Sequence, residues 1–242
     1  EKKPIGDYAY SFAVIGDTQV VADRYADQFH KIYDYILDNI DEKNIQFVLG
    51  MGDITERNTA GEWQLATDNI FRLDGKVGYS LVRGNHDTEA TMMKFFPISE
   101  YKDKLGGCYN TKNIFNSWQE LIVGEIKYLI FTLDYGASDA VLKWAEEIIV
   151  AHPEHNVIIT THAYLFRDGT TLDQNDVCPP ATTGGYNNGD HMWNKLIKKH
   201  ENIVLVLSGH DPCDNVIMTQ TKGENGNTVT QMLIDGQGVD AA

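Results

Sequence analysis

An α/β fold with at least one parallel sheet is predicted by three observations: short apolar runs alternate with amphipathic stretches, glycine closes several of those runs, and metal-capable polar residues follow them. "YAYSFAVI", Tyr8 to Ile15, reads as the first strand. Asp23 to Asp41 then sets Phe29, Ile32, Tyr33, Ile36 and Ile40 on one helical face. "IQFVLGM" is the second strand, Gly61 to Leu73 a helix with Trp63, Ala66 and Ile70 on one face, and Tyr79 to Val82 the third strand. Strand and helix in this alternation are the signature of parallel strands joined by crossovers.

A second sheet begins in the middle of the chain, where "IFNSWQELIVG" and "IKYLIFTLD" flank Gly124 and Glu125 as a hairpin. A helix over Ser138 to Ala151 leads into "NVIITTH", and another over Gly189 to His200 leads into "IVLVLSGH". The tail supplies "NVIMTQT" and "TVTQMLID" around the turn "KGENGN". With no internal repeat or linker, residues 1–242 read as a single domain. Between Phe166 and Gly189 runs a long irregular loop, either a substrate lid or a variable surface loop.

The formal charge is −15, which disfavours a broad phosphate-backbone-binding surface and makes nucleic acid an unlikely bulk partner. No apolar stretch approaches the roughly 20 residues that cross a bilayer, so no transmembrane segment is expected. The three cysteines, Cys108, Cys178 and Cys213, make neither a dense disulfide framework nor a C-x-x-C knuckle. They fit one bridge, Cys178 to Cys213 across the long loop, or buried thiols.

The chemistry lies at the strand ends. "FAVIGDTQ" ends in Asp17 and Gln19, "FVLGMGDITE" in Asp53, "SLVRGNHD" in Asn85, His86 and Asp87, "VIITTHA" in His162, and "LVLSGHD" in His210. Each alone has a plain structural reading: an aspartate as a helix cap, a histidine as a bonded core residue, an asparagine closing a turn. In open α/β sheets, however, ligands bind outside the carboxyl ends of the strands, so the ordered set converges on one site. Glycines before several of these groups allow close backbone approach. Carboxylates, an amide and imidazoles form a mixed oxygen and nitrogen donor set suited to Mn, Fe, Zn or a similar divalent ion.

In this order the motifs resemble those of the calcineurin-like metallophosphoesterase family: D-x-H, G-D, G-N-H-D/E, a lone His, and G-H-x-H. The resemblance implies a four-layer α/β/β/α sandwich and one or two divalent metals. It implies Asp53 as the bridging ligand, with Asn85, His162 and His210 completing one metal and Asp17 belonging to the other. His86 would sit beside the metals, stabilising phosphoryl charge or protonating the leaving oxygen, with Asp87 orienting it. The implied substrate is a small-molecule or lipid- or glycan-linked phosphoester, a monoester or a diester.

Two departures stand out. Gln19 occupies the place of the first-motif His, and Pro212 that of the last, so the metal held through Asp17 loses two strong ligands. It binds loosely, gains Asp211 or Cys213 as a replacement, or is absent. The same damage supports a rival reading, a non-catalytic binding module that keeps the fold and one metal. Arg57 and Arg167, near strand ends, are the candidates for holding a phosphate; Tyr164, Tyr186 and Trp193 are candidates for pocket walls. The missing start Met and the family's frequent export favour a periplasmic or extracellular location over a cytoplasmic one, and the tail leads one to expect further β-structure beyond it.

Overall fold

The computed structural model describes residues 8–182 and 186–238. Its first part is β1 (Ser11–Ile15), α1 (Gln19–Arg24), α2 (Ala26–Asp38), β2 (Ile45–Gly50), α3 (Ala60–Ile70) and β3 (Gly78–Ser80). These strands form a three-stranded parallel sheet in the order β1-β2-β3. After α4 (Glu89–Phe95) come β4 (Gly107–Cys108), β5 (Ser117–Val123), β6 (Ile126–Thr132), α5 (Asp139–Ala151) and β7 (Asn156–Ala163). The chain continues through α6 (Gly189–Lys195), β8 (Ile203–Gly209), β9 (Ile217–Lys222) and β10 (Thr228–Leu233). The second sheet has seven strands in the order β4-β5-β6-β7-β8-β10-β9, parallel from β6 to β10 and antiparallel at both margins.

Side chains alternate across a strand, so a strand apolar on both faces supplies two cores. Phe47, Leu49 and Met51 point to the middle of the molecule with Ile130, Ile158 and Leu207 of the second sheet. Val48 and Tyr79 point the other way, against Phe29, Tyr33 and Ile36 of α2 and Trp63, Ala66 and Ile70 of α3. On the far side of the second sheet, Phe131, Ile159 and Val206 meet Val141, Leu142, Ala145 and Ile149 of α5 and Met192 of α6. Three cores between four layers give the expected α/β/β/α sandwich. Each large apolar side chain withdrawn in this way contributes about 1.5–3 kcal/mol.

Several boundaries differ from the sequence reading. The helix expected over Asp23 to Asp41 starts earlier, at Gln19, and breaks at Tyr25, whose carbonyl accepts from Gln28 and Phe29 at 2.8 and 3.1 Å. The early start brings Gln19 into the strand-end region. The break lets α2 turn its own apolar face onto the sheet. The helix expected over Gly189 to His200 ends at Lys195 and continues as a tight 3₁₀ turn, Ile197–Lys199, so that neighbouring Leu196 and Ile197 are both buried. The long loop is not free surface in its first half: Leu172 is buried against Tyr135 and Ala163, and its amide donates to the Tyr164 carbonyl at 2.8 Å. Residues 183–185 of that loop lie outside the described residues.

Candidate metal centre

The parallel strands of both sheets deliver their carboxyl ends to one hollow. Asp17 follows β1, Asp53 follows β2, Asn85 follows β3, His162 is the penultimate residue of β7, and His210 follows β8. One donor atom from each of Asp17, Asp53 and His162 lies within 4.8 Å of the others, and all three side chains are buried. The His162 Nδ1–H donates to the Met51 carbonyl at 2.9 Å, which turns Nε2 toward Asn85 Oδ1 at 2.9 Å and Asp53 Oδ1 at 3.3 Å. His210 is fixed from outside by the Asp176 carboxylate, 2.8 Å from Nε2, so its Nδ1 faces Asn85 Oδ1 at 2.8 Å and His162 Nε2 at 3.3 Å. Two imidazole nitrogens, an amide oxygen and a carboxylate oxygen thus converge with their outer atoms already engaged.

The backbone is bent to allow this. Asp53 and His210 have φ of 45° and 81°, left-handed values uncommon for non-glycine residues. Gly84 and Gly209 leave room that a Cβ would take from the Asp53 and Asp17 carboxylates. These glycines exist for the carboxylates beside them.

Electrostatics agree with a site built for positive charge. Burial pushes the Asp17 carboxyl well above its usual range. Burial acts on Asp53 in the same sense, but His162 beside it, its hydrogen bond and the His86 amide outweigh it and hold Asp53 low. Burial disfavours the His162 cation, yet Asp53 and Asp17 win and raise it to about 10. The Asp17 Oδ1 and Gln19 Oε1 atoms are buried without a hydrogen-bond partner. An orphaned carboxylate oxygen among further donors fits a cation, because leaving such atoms desolvated otherwise costs about 1–3 kcal/mol each.

The remaining expectations divide. His86 sits at the rim with its side chain 37% exposed, its amide donating to Asp53 at 2.9 Å and its Nδ1 3.1 Å from the Glu56 carbonyl. Asp87 does not orient it. The Asp87 carboxylate is buried and accepts from the amides of Ile54, Thr55 and Gly84 at 2.9, 3.0 and 3.1 Å and from the Thr55 hydroxyl, bracing the two loops that carry Asp53 and Asn85. Burial, with Asp53 adding, raises it to about 6 against those donors.

Gln19 reaches the site but donates from Nε2 to Asp53 Oδ2 at 3.1 Å. Arg57 pairs with Asp23 at 3.0 Å and is 64% exposed. Arg167 holds Asp211 through both Nε and Nη2, so its fork is already filled and Asp211 is not a spare ligand. Cys213 does not stand in either: its thiol is buried and donates to the Asp235 carbonyl at 3.4 Å. The cysteines are free, so the Cys178–Cys213 bridge is not formed. Tyr164 is a core residue bonded to Gln231, and Trp193 packs against the α5 and α6 core, while Tyr186 is 69% exposed.

Sequence reasoning missed Asp134, which pairs with Arg83 at 2.8 Å behind β6, and Asp176, Asp235 and Gln237 at the site. Asp134 and Asp235 follow apolar strands in "IFTLD" and "QMLID", the very signal used for the others.

A family model described as calcineurin-like phosphoesterase matches residues 10–214. An uncharacterised Bacillus subtilis (strain 168) protein, YvnB, is 26% identical over 247 residues, which is 95% of this chain but 18% of that protein; the chain thus spans less than a fifth of its relative's length. Among solved structures, GAP50, described as the anchor in the inner membrane complex of Plasmodium, aligns with 92% of this chain and 70% of its own at a TM-score of 0.55 and 13% identity, a likeness of fold.

Proposed function

The chain belongs to the calcineurin-like phosphoesterase family, and from that premise we propose that it hydrolyses phosphoesters with the help of divalent metal held at the strand ends. The observation that carries the reading is the buried Asp17, Asp53 and His162 group with its donor atoms gathered within 4.8 Å. Asp17, Gln19, Asp53, Asn85, His162 and His210 would hold one or two ions of the Mn, Fe or Zn type. A bound ion supplies Lewis-acid polarisation of the phosphoryl group and makes water more acidic.

The chain's own groups do the rest. Asp53 brings two carboxylate oxygens to the centre of the site, so it would be the residue to share between two ions. His86, with Nδ1 toward Glu56, presents Nε2 at the rim to bind a phosphoryl oxygen or give a proton to the leaving group. Asp87 keeps the Asp53 and Asn85 loops in register and acts only through them. Arg57 is the better phosphate anchor of the two arginines, because Asp23 engages only one of its terminal nitrogens while Arg167 is bidentate on Asp211. The substrate class is a small-molecule or lipid- or glycan-linked monoester or diester; charge argues against nucleic acid.

The test is chelation followed by readdition of Mn²⁺, with hydrolysis of aryl phosphate monoesters, diesters and pyrophosphates as the readout. Absence of turnover by metal-loaded protein on that whole panel overturns the reading. A second reading, a binding module that keeps one metal, is favoured by Gln19 and Pro212. It predicts at most about one equivalent of metal per chain and phosphoester binding without turnover.

A further inference from the structure

The position around Asp17 has lost the imidazoles its family pattern expects, at Gln19 and at Pro212. The structure brings something else to the same place. The turn after β10 lies directly beside the turn that carries Pro212: the Cys213 amide donates to the Asp235 carbonyl at 2.9 Å, and a Cβ on Gly16, just before Asp17, would strike the Ile234 carbonyl. Asp235 is thereby held 1% exposed just past the carboxyl end of β10, which runs parallel to β8, and strand carboxyl ends are where the other ligand candidates lie.

Its carboxylate and that of Asp17 are spanned by one amide nitrogen. Gln237 Nε2 lies 3.2 Å from Asp235 Oδ2 and 3.3 Å from Asp17 Oδ2. Around this point are the buried, partnerless Asp17 Oδ1 and Gln19 Oε1, the latter on an amide that touches Asp53 Oδ2 at 3.1 Å. Asp17, Asp53 and Asp235 are all at least nine-tenths buried, and among the described residues no lysine or arginine pairs with any of them. Buried carboxylates in that number are stable next to a cation.

We propose that Asp235 replaces the ligand lost at Pro212, and that with Asp17, Gln19 and the shared Asp53 it forms an oxygen-only position for a hard divalent cation of the Mn²⁺ or Mg²⁺ class. This rests on the metal-dependent reading above, in which the neighbouring position is the one with imidazole donors. Carboxylate and amide oxygens suit Mg²⁺ and Mn²⁺, whereas His162 and His210 make the other position the better home for Zn²⁺. Gln237 bridges the two carboxylates until the cation takes the place of its N–H donors. The site is thus not a damaged pair but a mixed one, with different ions selected by different donor sets.

The experiment starts from metal-free protein loaded with one equivalent of Zn²⁺, then titrated with Mn²⁺ while the free-ion signal is followed by electron paramagnetic resonance. The wild type should retain its Zn²⁺ and bind about one further Mn²⁺. Asp235→Ala should retain Zn²⁺ and bind Mn²⁺ at least about tenfold more weakly. Gln19→His, which restores an imidazole, should let Zn²⁺ displace that Mn²⁺. Zn²⁺ retention with no Mn²⁺ binding by the wild type, or equal Mn²⁺ binding by wild type and Asp235→Ala, overturns this inference and leaves the hydrolase reading intact. Failure to retain Zn²⁺ sinks the underlying reading and this inference with it. Should Asp235→Ala not fold by circular dichroism, Gln19→His decides alone: an unchanged preference for Mn²⁺ overturns the assignment.

Discussion

His162 and His210 show how much of the site's chemistry is settled by atoms that never touch an ion. Each ring has one nitrogen committed, to the Met51 carbonyl and to Asp176, so the other is aimed at the donors of Asn85 and Asp53. Metal and protons must therefore compete. In the metal-free protein His162 stays protonated up to about pH 10 and Asp17 holds its proton well above the usual carboxylate range. Ion binding requires both to be deprotonated, so affinity should rise as pH rises from 6 toward 9, with net proton release on binding. Calorimetric titration in buffers of different ionisation heat counts those protons; zero release would mean that the ion bypasses His162 and Asp17. His86 differs in being outside the donor cluster. His86→Ala should lower the hydrolytic rate by roughly 10² or more while metal content stays at the wild-type level. Loss of metal in that variant would mean that its role is structural or ligating instead.

The element that places Asp53 has its own support, and it shows what was readable. The start of α3 is a capping box in which Thr59 and Glu62 satisfy each other, and Glu62 also accepts from the Glu56 and Arg57 amides at 2.9 and 3.1 Å. One carboxylate thus holds the loop from Asp53 to the helix. Burial opposes its charge, but these donors prevail and hold its pKa below the usual glutamate value. A depressed carboxylate contributes stability that is present above pH 4.5 and is lost as pH falls through the folded value. Glu62→Ala should cost about 1–2 kcal/mol at neutral pH, and a denaturant series at pH 7 and pH 3 should show the difference between wild type and variant shrinking in acid.

The T-x-x-E at Thr59 to Glu62 is written in the sequence, as are the apolar strands with polar residues just beyond them. What the sequence does not carry is which loop turns back on the site. Asp176 sits in an irregular stretch with no periodicity, and its approach to His210, 34 residues on, depends on Leu172, four residues before it, being buried against Tyr135 and Ala163. Asp87 is a similar case: adjacency to His86 suggested a pair, whereas the turn sends the carboxylate inward to backbone amides.

The site also belongs to neither sheet alone. Asp17, Asp53 and Asn85 come from the three-stranded sheet, while His162, His210 and Asp235 come from the seven-stranded one, so donor geometry depends on the packing between them. That packing is the layer of Phe47, Leu49, Met51, Ile130, Ile158 and Leu207. Leu49 is fully buried there, four residues before Asp53, whereas Ile70 is equally buried in the outer layer between α3 and the first sheet. Truncating either to Ala should remove about 2–5 kcal/mol of stability. Only Leu49→Ala relaxes the contact that sets one half of the donor set against the other. It should therefore weaken metal binding in a chelator competition, while Ile70→Ala of similar stability loss binds metal as the wild type does. The converse also follows from linkage: an ion that bridges the two sheets raises the unfolding temperature of the wild type in proportion to its affinity, and raises that of Leu49→Ala by less. Equal metal affinity in both variants would mean that the two halves of the site are held by their loops, not by the core between the sheets.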